Sequence, residues 1–129
     1  HFQAVVHAST MLGSVYREMK AFTRARQTLQ TALRQALAKK VDYLVPVAIF
    51  EIGRLYQAEE QPLAALPLLL WVVDHPATPA ENSIEAKAMI SDLEQSLTPA
   101  QKTAVYTQAN TLEATAVLSQ LQRETIPSR

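Results

Sequence analysis

The chain has 129 residues, 48% of them apolar and only 6% aromatic, with no cysteine, two glycines and a formal net charge of zero. This length supports one domain with a single core. The lack of cysteine excludes disulfides and thiolate metal sites and fits a reducing, cytoplasmic compartment, and the balanced charge offers no whole-molecule attraction to nucleic acid or anionic lipid.

Ala, Leu, Gln, Glu and Arg dominate, and no stretch alternates apolar with polar residues for long enough to make a strand, so the expected fold class is all-α. Charge is unevenly spread: eight Lys/Arg against five Asp/Glu leave +3 over residues 1–60, and four against seven leave −3 over residues 61–129. The longest apolar run, Leu63 to Val73, is interrupted by Pro67 and is too short to span a bilayer. Because the chain opens at His1 without a methionine, it reads as a piece of something longer.

Val5, Leu12, Val15, Tyr16 and Met19 recur at helical spacing, and Phe22, Ala25, Leu29, Ala32, Leu33, Ala36 and Leu37 do so in the next segment. A short turn near Lys20 and Ala21 joins these two helices. The pattern then repeats, with Val45, Ala48, Ile49, Ile52, Leu55 and Tyr56 on one helix and Leu63, Leu66, Leu69, Leu70 and Val73 on the next. EEQP at 59–62 separates them, Pro62 suiting the first helical position, and Pro67 is expected to bend the fourth helix. TPAE at 78–81 and TPAQ at 98–101 both read as capping boxes, with Thr78 and Thr98 as caps and Pro79 and Pro99 opening helices over 79–97 and 99–109. Asn110 and Thr111 offer a break and a new cap before a last helix ending near Arg123, and residues 125–129 are expected to be a disordered tail.

The two glycines stand in one frame, LGSVY at 12–16 and IGRLY at 52–56, forty residues apart. A glycine within a helix costs about 1 kcal/mol relative to alanine, so its recurrence asks for a packing reason. Without a side chain, Gly13 lets the first helix approach the second beside Ala25, and Gly53 has the same relation to Ala65, with Leu29 and Leu69 one turn further on.

Leu12, Gly13, Tyr16, Ala25, Leu29 and Ala32, followed by Ile52, Gly53, Tyr56, Ala65 and Leu69, resemble the signature of the tetratricopeptide repeat. Ser9 and Ile49 stand at its tryptophan position, leucine replaces its phenylalanine, and the period is forty instead of thirty-four. HPAT at 75–78, LEQSLTPAQ and TLEATAV are further similar to the tail of tetratricopeptide regions in large bacterial signal-responsive transcriptional regulators. The resemblance implies an α-solenoid: repeat one over about 3–39, repeat two over about 42–75, and capping helices over about 79–123 within a single domain spanning 1–124. It implies a non-catalytic interaction and sensing arm of a larger cytoplasmic regulator, without cofactor. The alternative is a free-standing adaptor or homo-oligomerisation module.

In such arrays the first helix of each repeat lines a groove for a protein or peptide partner, or for other domains of the same chain. Carried over by position, the groove residues are His7, Thr10, Ser14 and Arg17, with Val47, Phe50, Arg54 and Gln57; the two arginines would pair with carboxylates of the partner. An apolar N-terminal face including Phe2 and Val5 marks where further repeats or a second copy would pack. The basic segment from Arg17 to Lys40 lacks the aromatic interleaving of a nucleic-acid surface, so no direct nucleic-acid contact is expected. His7, Asp74 and His75 have no partners at metal-ligand or catalytic spacing, and His75 is expected to end the fourth helix.

Overall fold

The computed structural model describes residues 1–125. Seven helices follow one another, α1 (Phe2–Glu18), α2 (Phe22–Lys39), α3 (Leu44–Ala58), α4 (Pro62–Asp74), α5 (Ala80–Glu94), α6 (Pro99–Asn110) and α7 (Ala114–Thr125), with no strand among the described residues. The fold is all-α and solenoid-like: α1 and α2 form one helical hairpin, α3 and α4 a second, and α3 packs on both helices of the first. Thr125 closes α7, so it belongs to a helix and not to the expected tail; the rest of that tail lies outside the described residues.

The turn inside each hairpin is the same turn. Lys20 and Glu60 take the left-handed conformation, at φ 60° and 59°. The Ala21 and Gln61 amides reach back to the Tyr16 and Tyr56 carbonyls at 2.9 Å, while Lys20 and Glu60 donate to Arg17 and Gln57 at 2.9 Å. This pair of nested bonds is a Schellman motif, which satisfies the orphan carbonyls at a helix end. Neither position holds the glycine that left-handed backbone favours.

The two glycines are spent inside helices instead. A β-carbon on Gly13 would stand 2.6 Å from Cγ and Cδ2 of Leu29, and one on Gly53 would stand 3.0 Å from Leu69 Cδ2. The close approach is therefore to Leu29 and Leu69, one turn beyond the expected Ala25 and Ala65, which are fully buried alongside. The reason is direction: helical side chains lean towards the N-terminus, so the leucine covers the space above the preceding turn.

Ile49, Ile52, Leu55 and Tyr56 of α3 form one continuous core with Leu29 and Leu33 of α2 and with Leu66, Leu69 and Val72 of α4. Fully burying each such side chain is worth about 1.5–3 kcal/mol. Helix α4 runs unbroken through Pro67. The carbonyl that loses its donor is that of Leu63, in the exposed first turn, where water can take the amide's place.

The last three helices close the stack differently from one another. Helix α5 takes the next position on α4 and touches α3, α6 also packs on α4, and α7 turns back to lie against α2. They contribute Ala86, Ile90, Val105, Val117 and Leu121 to the core. Two of their three expected starts differ. Thr98 forms the capping box, accepting from the Gln101 amide at 3.1 Å while the Thr98 amide donates to Gln101 Oε1 at 3.0 Å. Thr78 instead donates to the Val72 carbonyl at 2.7 Å, so Pro79 and not Thr78 precedes α5. Thr111 likewise bonds back to Gln108, and α7 begins at Ala114. Helix α5 ends at Glu94 instead of 97, because the amides of Gln95, Ser96 and Leu97 each bond three residues back and tighten the chain into the Thr98 cap.

Candidate functional site

Placing α1 and α3 side by side under the start of α5 leaves an open cleft of about 340 Å³. His7 and Met11 come from α1, Val47 and Glu51 from α3, Tyr43 from the residue before α3, and Pro79, Glu81 and Asn82 from the entry to α5. Its lining mixes apolar and polar side chains, which lets a cleft hold one side chain by area and orient it by a few hydrogen bonds.

Two ion pairs tie the walls together. Arg17 Nη1 donates to Glu51 Oε1 at 2.7 Å, both side chains being buried, and Arg17 Nη2 also reaches Ser14 Oγ at 3.0 Å and Glu18 at 2.8 Å. The hydrogen bond from Arg17, reinforced by its charge, holds the Glu18 carboxyl below its ordinary range. Arg54 stands half-buried over the Phe50 ring at 5.6 Å, and its Nη1 lies 3.5 Å from Glu51 and 3.4 Å from Glu85 of α5. The chain Glu18, Arg17, Glu51, Arg54, Glu85 thus runs from α1 through α3 to α5.

These positions revise the groove expected from sequence. His7 and Val47 do line the cleft. Thr10 is buried and donates to the Val6 carbonyl at 2.8 Å, and Phe50 is buried in the core. Arg17 is likewise buried and has its carboxylate within the same chain, so it does not face a partner. Ser14 is half-buried beneath Arg17, and Gln57 is half-buried away from the cleft lining. Of the eight, only Arg54 keeps a partly exposed cation, and that too is shared with Glu51 and Glu85. The reason is the partner arginine finds first: Glu51, three residues before Arg54 in sequence, was the missed residue, and an i,i+3 acid–base pair is its one local signal. Glu81 and Asn82 were missed because no local pattern announces that α5 begins beside the cleft, and Met11 and Tyr43 because the carried-over groove positions did not include them.

A second polar cluster fixes α7. The Tyr56 hydroxyl donates to Glu124 at 2.8 Å, Arg26 Nε donates to the same carboxylate at 3.2 Å, and Arg26 Nη2 pairs with Glu59. Burial, and next the bond to Glu124, push the Tyr56 hydroxyl far above the ordinary tyrosine range. At the far end of α4 the Trp71 and His75 rings lie 4.8 Å apart, and His75 Nδ1 accepts the Ala77 amide at 3.1 Å. His75 ends the helix as expected, and its ring accepts a backbone hydrogen bond there.

Among the described residues no three His, Cys, Asp or Glu side chains are grouped to hold a metal ion, and no helix is long and apolar enough to cross a membrane. Compared with known proteins, the chain matches no family model, no curated protein and no solved structure.

Proposed function

We propose that this chain is a non-catalytic protein-interaction and sensing arm, built from tetratricopeptide-like hairpins, of a larger cytoplasmic bacterial transcriptional regulator, and that it takes a segment of a partner protein in the cleft between α1, α3 and α5. The observation that carries the interaction role is the cleft itself: two hairpins of one forty-residue frame set their first helices side by side, with Val47 and Glu51 buried in it and Met11, Tyr43, His7 and Glu81 lining it as exposed side chains. The regulator context rests on the sequence resemblance alone.

The charge of the cleft selects the occupant. Glu81 is its exposed carboxylate, because both oxygens of buried Glu51 are already met by Arg17 and Arg54. An apolar side chain flanked by Lys or Arg fits this lining better than the acidic segment that a pair of open arginines would have taken. Selection of a displayed random-peptide library on the chain is expected to enrich such sequences, with binding lost on Met11→Glu and weakened on Glu81→Lys. Enrichment of peptides insensitive to both changes, or no enrichment, would remove the cleft from the proposal. The reading frame upstream of His1 tests the wider context: further hairpins preceded by NTPase and DNA-binding modules support it, and a start codon within a few residues leaves the free-standing adaptor.

A further inference from the structure

Helices α1 and α3 are forty-residue counterparts, yet their matching faces have opposite surroundings. Leu12 is 44% exposed and Val15 51%, whereas Ile52 and Leu55, forty residues on, are wholly buried. Met19, at the end of the same stripe, is 67% exposed. Three large apolar side chains along one helix, open together, form a face of the kind that marks an interaction site.

The second repeat identifies what belongs there. Each of the two helices has its own hairpin partner, α2 for α1 and α4 for α3, and each has a following helix beside it, α3 for α1 and α5 for α3. What α3 has and α1 lacks is a hairpin before it, together with α7, which meets α3 only at its edge through Tyr56 and Glu124. The cover over Ile52 and Leu55 is therefore chiefly α2, whose Leu29 and Leu33 share their core.

From this we infer that the Leu12, Val15 and Met19 face is the seat of another helical hairpin, preceding α1 in a longer polypeptide and laying its second helix on α1 as α2 lies on α3. The inference rests on the reading of this chain as part of a longer repeat array, and it is independent of the cleft. A second copy of the chain does not supply the same cover, because the equivalent faces of α2 and α4 are already occupied by α3 and α5. Charge narrows the incoming helix further. Where α2 carries Arg26 to meet Glu59, α1 presents Met19 in place of that glutamate, so the incoming residue facing it is apolar, as Leu66 is at the corresponding position of α4.

The test appends a copy of residues 1–40 ahead of His1, carrying Arg17→Leu and Arg26→Leu because Met11 and Met19 stand where the next repeat has Glu51 and Glu59, and with Met11→Leu and Met19→Leu in the copy so that the chain's own methionines can be followed. The expected result is a rise in Tm of about 5 °C or more, cancelled by Val15→Glu in the original α1, a change that leaves the unextended chain's Tm nearly unmoved. Peroxide oxidation of Met19 is expected to slow several-fold in the extended chain, and that of Met11, the counterpart of buried Glu51, to slow with it, while that of Met89 on α5 is unaltered. No rise in Tm together with unprotected Met19 would overturn the inference. So would sedimentation of the unextended chain as a dimer that Val15→Glu dissolves, which would assign the face to a second copy.

Discussion

The first and second hairpins share a frame, a turn and a glycine, but the second is a core and the first is a boundary. Helix α3 buries nearly every side chain it has, the acidic Glu51 included, while α1 leaves its Leu12, Val15 and Met19 side open. The difference teaches that equal sequence positions in a repeat have equal backbone but unequal energetics, because burial depends on which neighbours flank the unit and not on the unit.

The sharpest break in that equality is at Glu51 and its counterpart Met11. Replacing Glu51 by alanine strands the Arg17 guanidinium in the interior, a loss expected to reach about 3–5 kcal/mol, moderated by Ser14 and Glu18 which remain in reach. Met11→Ala removes a half-open side chain and is expected to change urea stability by less than about 0.5 kcal/mol. The double change Arg17→Met with Glu51→Leu should recover most of the loss; if it does not, the pair contributes more than mutual compensation. The apolar version of this contrast is Leu55→Ala, expected to cost about 2–5 kcal/mol, against Val15→Ala, which should be nearly silent.

The glycines invert the order. At Gly13 an added methyl would stand 2.6 Å from buried Leu29 and force it aside, while at Gly53 the nearest atom is at 3.0 Å and a shift of a few tenths of an ångström relieves it. Alanine also gains about 1 kcal/mol of helix propensity at both places. Gly13→Ala is therefore expected to destabilise by about 1–2 kcal/mol and Gly53→Ala to stay within about 1 kcal/mol of the parent. Equal losses would mean that the hairpins pack with equal clearance.

Alkaline pH probes the contact that only the second hairpin makes, between Tyr56 and Glu124 of α7. Burial, then the hydrogen bond to Glu124, raise the Tyr56 ionisation above its ordinary value of 10.0. The folded state thus keeps a proton that the unfolded chain releases, so this contribution is full below about pH 10 and is lost as pH rises beyond it. Tyr56→Phe should flatten that part of the pH–stability curve.

Helices and turns were legible because their causes are local. Seven helices, the two hairpins and the Thr98 box all follow from spacing, Pro62, Pro99 and the paired frames. Thr78 shows where locality ends: TPAE and TPAQ are almost the same words, but Thr78 lies six residues from a helix-end carbonyl and bonds back to Val72. The site was legible in part for the same reason. Repeat position brought His7 and Val47 to the cleft, but it could not show that Arg17 would be consumed by Glu51, thirty-four residues away, or that α5 would supply Glu81 and Asn82.

The smallest expected effect is also the one in which the hairpins should agree. Lys20 and Glu60 both hold left-handed backbone in identical Schellman turns, a conformation that costs a residue with a β-carbon about 1–2 kcal/mol. Glycine removes that strain but gives back part of the gain through the greater freedom of the unfolded chain. Lys20→Gly and Glu60→Gly should therefore each raise stability by up to about 1 kcal/mol, measured as a shift in urea midpoint at constant slope. Both side chains are exposed, and neither turn depends on what flanks its hairpin, so the two gains should match. A gain at one turn alone would show that the boundary hairpin and the core hairpin differ in their backbone as well as in their surroundings.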